Sequence, residues 1–348
     1  MYNLEEYMKP LWEGNTVTDE SFMPLENEDG TIDPIPLLFK ADKILSVKNS
    51  GLTVTYNEGT DYILKDGKLQ ILKDGNIKTV KFRDYYLEEN IPGKCFGRTG
   101  GGFIYFGESD SMHKLQLVVS YTHHGEWKGP IPSYQGSNLP KTIEKLKNKE
   151  PLTILFYGDS ITTGANSSKV INQEPFVDDW CTLTVNTLKK EYDHNEITLI
   201  NTAVGGTRSD WGAENAYENA AKYNPDLCFI AFGMNDGSAR IDKDSYLKNI
   251  KEIMSKVHES NTDCEFILVA TMLAHGEVAG FLGNQEEYLP VLNPLKGDKV
   301  AVADMTSIHK HLLALKRYYD MSGNNVNHPN DFLARVYAHT MVATLVER

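Results

Sequence analysis

The sequence predicts a strand-rich domain over residues 1–148 followed by a doubly wound α/β domain over residues 149–348. Three observations carry this expectation. Short β-prone runs separated by turn residues fill the first part, apolar runs alternate with helical periodicity in the second, and the character changes near residue 150. A chain of 348 residues also exceeds one ordinary domain.

In the first part, residues 52–56, 77–82, 102–106 and 115–121 read as short strands. Leu-Lys-Asp-Gly occurs at 64–67 and again at 72–75, which marks adjacent hairpin turns. Two copies are too few for a solenoid. Regular short strands with Gly and Asp turns imply an all-β sandwich of jelly-roll type. Residues 136–151 form the junction, where Pro140 opens a short charged helix over 141–147. In the second part, 153–157, 197–201, 227–232, 266–270 and 299–303 read as strands. Residues 180–192, 213–223, 245–259, 309–318 and 332–346 read as helices. Such alternation builds a parallel sheet covered on both faces.

Composition narrows the function classes. With 41% hydrophobic and 24% charged residues the chain is globular. Its net charge of −13 argues against nucleic-acid and anionic-membrane partners, which require a basic footprint. Nowhere do 18 apolar residues run uninterrupted, so no membrane span is expected. The first residues show neither a basic nor an apolar segment of a secretion signal, which makes the cytoplasm the simplest address. Cys95, Cys181, Cys228 and Cys264 lack any paired spacing. The last three sit in apolar or helical contexts and read as buried thiols, so neither a metal nor another cofactor is expected. Composition leaves a homo-oligomer open.

The chemistry concentrates at strand ends of the second part. The apolar run 152–157 ends in Gly158-Asp159-Ser160, and open α/β sheets bind their ligands at that carboxyl edge. Alone, Ser160 reads equally well as the cap of a following helix. Three further stretches also lie where a strand or loop feeds a helix: Asn201 through Gly206, Gly233-Met234-Asn235-Asp236, and His328-Pro329-Asn330-Asp331. A serine, glycine and asparagine N–H donors and a histidine are what ester hydrolysis needs: nucleophile, oxyanion donors and base.

These four blocks, in this order, resemble those of the SGNH (GDSL-type) hydrolases. The resemblance implies a flavodoxin-like three-layer α/β/α fold and a serine esterase. Carried over block by block, it makes Ser160 the nucleophile and a backbone oxyanion donor, Gly206 a second backbone donor, Asn235 a side-chain donor and His328 the base. A β-domain placed in front is similar, more loosely, to the two-domain carbohydrate acetyl esterases. That likeness implies removal of a short acyl group, acetyl above all, from an oligosaccharide or other small ester.

One position departs from the family pattern. The residue three before the histidine, usually acidic, is Asn325. An amide orients an imidazole but balances its charge less well. Three arrangements stay open: a Ser-His dyad held by a backbone carbonyl or Asn325, a carboxylate from Asp331, or a distant acid such as Asp304 or Asp320. Trp211, Arg208 and Asp159 are candidate substrate contacts, although Arg208 also reads as a solvated surface residue and Asp159 as a structural hydrogen-bonding group. His275 and Tyr288 lie in the pocket-shaping segment 273–290, and Trp127 either stacks on sugar or packs between domains. Rival readings are a non-catalytic carbohydrate-binding protein, and an acyltransferase, thioesterase or lysophospholipase using the same residues.

Overall fold

The computed structural model describes residues 2–348. Its N-terminal part contains nine strands: β1 (Thr16–Phe22), β2 (Ala41–Asn49), β3 (Thr55–Tyr56), β4 (Tyr62–Lys65), β5 (Lys68–Ile71), β6 (Tyr86–Leu87), β7 (Cys95–Gly97), β8 (Phe103–Tyr105) and β9 (Leu117–His123). They form three separate sheets, in the orders β1-β9-β2-β3, β4-β5 and β6-β8-β7, rather than the two facing sheets expected of a jelly roll. The reason is strand length. Several runs expected to be strands shrink to two or three residues, and 77–82 holds only a bridge at Val80 before a short helix, Phe82–Tyr85. The first Leu-Lys-Asp-Gly does turn a hairpin, joining β4 to β5 with Asp66 and Gly67 at positive φ. The second closes a turn after β5 with no partner strand following it.

The C-terminal part is built on β10 (Leu152–Gly158), β11 (Ile197–Asn201), β12 (Leu227–Ala231), β13 (Glu265–Ala270) and β14 (Val300–Asp304). All neighbours are parallel, in the order β11-β10-β12-β13-β14. Counted within this part, the order is 2-1-3-4-5, the flavodoxin-like winding, which switches direction between β10 and β12. Side chains alternate across the sheet. Ile154 and Phe156 of β10 join one core cluster with the helices Trp180–Glu191 and Asp331–Leu345. Leu155 and Tyr157 join another with the helix Lys243–Ser260. Three layers result.

Two helical expectations change. The stretch 213–223 divides into Ser209–Glu214, Ala216–Asn219 and a single 3₁₀ turn, Ala221–Tyr223. The stretch 309–318 becomes Met305–Leu315, with Tyr318 opening a separate short helix, Tyr318–Met321. Gln285–Leu292, overlapping the pocket-shaping segment, is also helical despite Pro290.

The two parts share one hydrophobic core that runs from Tyr7 to Val346. Glu20 of β1 pairs with Lys316 at 2.6 Å, and both side chains are fully buried. Around this pair the N-terminal sheet grips the chain that leads to His328. Met23 N–H donates to Asp320 Oδ1 at 2.8 Å, and Gln116 Nε2 donates to the carbonyls of Tyr319 and Ser322. Trp127 packs edge-on against His311, so it serves the contact between the parts. No helix among the described residues is long and apolar enough to cross a membrane.

Candidate active site

Strand β10 runs into consecutive turns over 159–166, not into a helix, so Ser160 caps nothing. The next helix, Trp180–Glu191, takes its cap from Asp179. The turn is held from within. Asp159 Oδ1 accepts the Ile161 N–H at 3.0 Å, and the Ser160 carbonyl accepts the Thr163 hydroxyl at 2.7 Å. That leaves Ser160 Oγ free to face His328 Nε2 at 2.9 Å, within reach for proton transfer.

The other two blocks close on the same turn. Val204 N–H donates to the Gly158 carbonyl at 3.0 Å, which ties the loop after β11 to the end of β10. In that loop Gly206 adopts φ +78°, a conformation costly for any residue with a Cβ. Asn235 Nδ2 donates one hydrogen to the Thr207 carbonyl at 2.9 Å, which fixes which way the amide faces and leaves its second N–H unspent. Below them the buried Asp236 carboxylate accepts the Ser209 N–H at 3.0 and 3.1 Å, bracing the loop after β11 against the turn after β12.

His328 sits in a loop whose shape is set by Asn324. The Asn324 Oδ1 accepts three backbone N–H groups, those of Val326, Asn327 and His328, each at 3.0 Å. The Ser322 hydroxyl and Gly323 N–H both donate to the His328 carbonyl. The imidazole is then oriented by a residue not anticipated from the sequence. His328 Nδ1 lies 2.7 Å from Asn166 Oδ1. Asn166 Nδ2 donates to the Ser109 carbonyl at 3.2 Å, so the amide oxygen is the atom turned to the ring. A Cβ on Gly323 would stand 2.4 Å from Asn166 Cβ, so only glycine lets the two loops meet.

Neither sequence candidate for the orienting group bonds to this imidazole. Asn325 is fully buried; its Oδ1 accepts the Tyr85 hydroxyl at 3.0 Å and its Nδ2 donates to the Tyr105 carbonyl at 2.7 Å. Asp331 is the first helical residue behind the Asn330 cap, and its carboxylate accepts the Ser168 N–H at 2.7 Å. Asp304 caps the helix Met305–Leu315, and Asp320 bonds the N–H groups of Met23 and Arg317. Within 4.0 Å of the ring nitrogens stands instead Glu108 of the N-terminal part, with Oε2 3.7 Å from His328 Nδ1. Asn324 Nδ2 holds its other oxygen at 3.0 Å. Asn166 and Glu108 carry no motif signal: one lies six residues past the nucleophile, the other in a different part of the fold.

The candidate substrate contacts also move. Asp159 is buried, and burial pushes its carboxyl up to about 7, with the Asp236 charge adding to this against the Ile161 and Met234 N–H bonds. It is a brace, not a substrate contact. Arg208 is spent on Asp210, Nη2 to Oδ2 at 2.6 Å. Trp211 packs its half-buried ring towards Tyr157 in the second core cluster. Tyr288 stacks on Tyr246 in the core, and His275 stacks on Tyr318 while its Nδ1 meets the Asn325 carbonyl at 2.9 Å. Both serve packing. All four cysteines are buried and free.

The model of the GDSL-like lipase/acylhydrolase family matches residues 156–335, which hold all four blocks. The chain belongs to this family. No functionally curated protein matches the sequence. Among solved structures, a two-domain esterase active on acetylated mannans is 23% identical, with a TM-score of 0.49 over 64% of this chain and 55% of that one. An acetyl xylan esterase is 20% identical, with a TM-score of 0.44 over 55% of this chain and 98% of that one. Another, from Geobacillus stearothermophilus, is 18% identical, with a TM-score of 0.43 over 55% of this chain and 91% of that one. The present GDSL-like chain thus spans about half the length of the two-domain esterases it matches.

Proposed function

We propose that this GDSL-like chain is a serine esterase that removes short acyl groups, acetyl above all, from oligosaccharides. The observation that carries the reading is the 2.9 Å approach of Ser160 Oγ to His328 Nε2, with His328 Nδ1 bonded to Asn166. That bond keeps the proton on Nδ1 and leaves Nε2 as the base.

In this reading Ser160 Oγ attacks the ester carbonyl carbon while its proton passes to His328 Nε2. The oxyanion receives the N–H groups of Ser160 and Gly206 and the spare N–H of Asn235. Collapse breaks the ester C–O bond, and the Nε2 proton leaves on the alcohol. Water then attacks the acyl-enzyme by the same route, releasing the carboxylic acid and restoring Ser160. The choice of a large alcohol is supported by the surface around the donors. Residues 204–206 are exposed, and nothing stands within 4 Å of where a Gly206 Cβ would be. The surface beside the oxyanion donors is therefore open enough to take an ester of an extended sugar chain. Acetylated mannans and xylans, the substrates named for the similar esterases, have this form.

Residues 149–348 would carry the chemistry and residues 1–148 would be the accessory part. Acetate release from acetylated xylo- and manno-oligosaccharides, compared with simple acetyl esters, tests the proposal. The wild type should show a higher kcat/KM on one of the oligosaccharides, and Ser160→Ala should release nothing. Equal rates in the two proteins would sink it.

A further inference from the structure

We propose that Glu108, a residue of the N-terminal part, is the charge-balancing carboxylate of His328, so that the triad is completed from outside the α/β part. The inference rests on the esterase reading and assigns a role to a residue that none of the four blocks contains. When His328 takes the Ser160 proton the ring becomes a cation. Asn166 Oδ1 fixes the ring and its tautomer but brings no charge. An enclosed imidazolium without an anion nearby forms at a penalty that the transition state inherits.

The carboxylates in and around the four blocks are committed elsewhere. Asp159 braces the nucleophile turn, Asp236 braces Ser209, and Asp331, Asp320 and Asp304 bond backbone amides away from the ring. Among the described residues, Glu108 alone brings a carboxylate oxygen within 4.0 Å of an imidazole nitrogen of His328. Its place is engineered on both sides. Asn324 spends its oxygen on three backbone N–H groups, so its amide must face Glu108, and it donates to Oε1 at 3.0 Å. The same Asn324 places the His328 backbone, and the neighbouring Ser109 carbonyl places Asn166. Gly107 N–H donates to the Asn324 carbonyl, and Tyr105 accepts from Asn325. Residues 105–109 thus hold the histidine loop, its orienting amide and the carboxylate together.

Burial alone would raise the Glu108 carboxyl, but its interactions with His328 and Asn324 outweigh this and hold it below the ordinary range. It is therefore an anion at neutral pH. No proton passes to it: the Ser160 proton goes to Nε2, Nδ1–H stays bonded to Asn166, and Glu108 acts through the field alone. Acting through His328, it is a positioning residue, and a half-exposed one, with 51% of its side chain accessible. Its effect is accordingly screened by salt.

The test uses the full chain with p-nitrophenyl acetate. Glu108→Gln keeps an oxygen for Asn324 and removes only the charge. It should lower kcat by about tenfold with KM unchanged, and the deficit should shrink as ionic strength rises from about 0.01 to about 1 M. Glu108→Asp, which keeps the charge, should stay within about threefold of wild type at low salt. A merely structural role would give a loss indifferent to salt and to which variant is made, and that result overturns the inference. So does a Glu108→Gln enzyme within twofold of wild type at every ionic strength. Failure of the esterase reading looks different: wild type and Ser160→Ala would then be alike.

Discussion

His328 Nδ1 meets the amide oxygen of Asn166 at 2.7 Å, and Asn166 is held in turn by the carbonyl of Ser109 from the N-terminal part. The histidine of this family member is therefore oriented by a neutral group that follows its nucleophile in sequence. Removing that group in Asn166→Ala leaves Nδ1 without its acceptor and lets the ring rotate and exchange tautomers. A hydrogen bond to a group that becomes charged is worth about 1.5–3 kcal/mol, so kcat should fall by about 10- to 100-fold. Steady-state kinetics on p-nitrophenyl acetate read this directly, and an unchanged kcat would remove Asn166 from the relay.

Asp331 should behave in the opposite way. Its carboxylate bonds the Ser168 amide and makes no bond to the imidazole. Asp331→Ala should leave kcat within about threefold, while the orphaned buried amide lowers stability by about 1–3 kcal/mol. Urea unfolding together with activity separates the two effects. A hundredfold loss of kcat in a stably folded variant would return Asp331 to the catalytic set.

The buried Glu20–Lys316 pair couples the two parts of the chain. Glu20 also accepts the Tyr121 hydroxyl at 2.6 Å and the Leu38 N–H at 3.1 Å, so its charge is shared by three donors. Lys316→Met leaves that carboxylate buried without its cation, at a cost of about 3–5 kcal/mol. Because the segment after Lys316 leads to His328, thermal unfolding should remain one transition at a lower temperature. Two separate transitions would show that the parts unfold independently.

Asp159 gives stability a pH dependence. Burial pushes its folded carboxyl up to about 7, against 3.8 for the same group exposed in the unfolded chain. Between these values the folded chain binds a proton that the unfolded chain has lost. Its contribution is therefore largest at low pH and declines as pH rises from about 4 to about 7. In Asp159→Asn this decline is absent. Urea midpoints should show wild type losing ground to Asp159→Asn over that window, and a constant difference would contradict it.

Much of this was legible from residues. The five parallel strands follow from apolar runs, and the flavodoxin-like order follows from the family blocks. Ser160, Gly206, Asn235 and His328 were each readable as a functional type at the end of a strand or before a helix. The orienting group was not, because it depends on backbone geometry rather than residue type. Asn325 has the right spacing, but at φ +69° its side chain is drawn to Tyr85 and Tyr105. Asn166, also at positive φ, is brought to the ring by the close pass of Gly323. Glu108 was equally hidden, since its distance from His328 is a property of how two parts dock. The small N-terminal sheets are not legible in the same way, because β propensity cannot tell a two-residue ladder from a full strand.

The central claim is that Ser160 is the attacking atom and that His328 activates it. A p-nitrophenyl phosphonate ester tests this directly, since it traps an activated serine as a stable adduct. The account expects one label per chain, on the peptide carrying Ser160, with activity lost in proportion to labelling. Ser160→Ala should take up none, and His328→Ala should label at least about a hundredfold more slowly, as expected for loss of a general base. Labelling at another residue, or full activity in a fully labelled chain, would contradict the account.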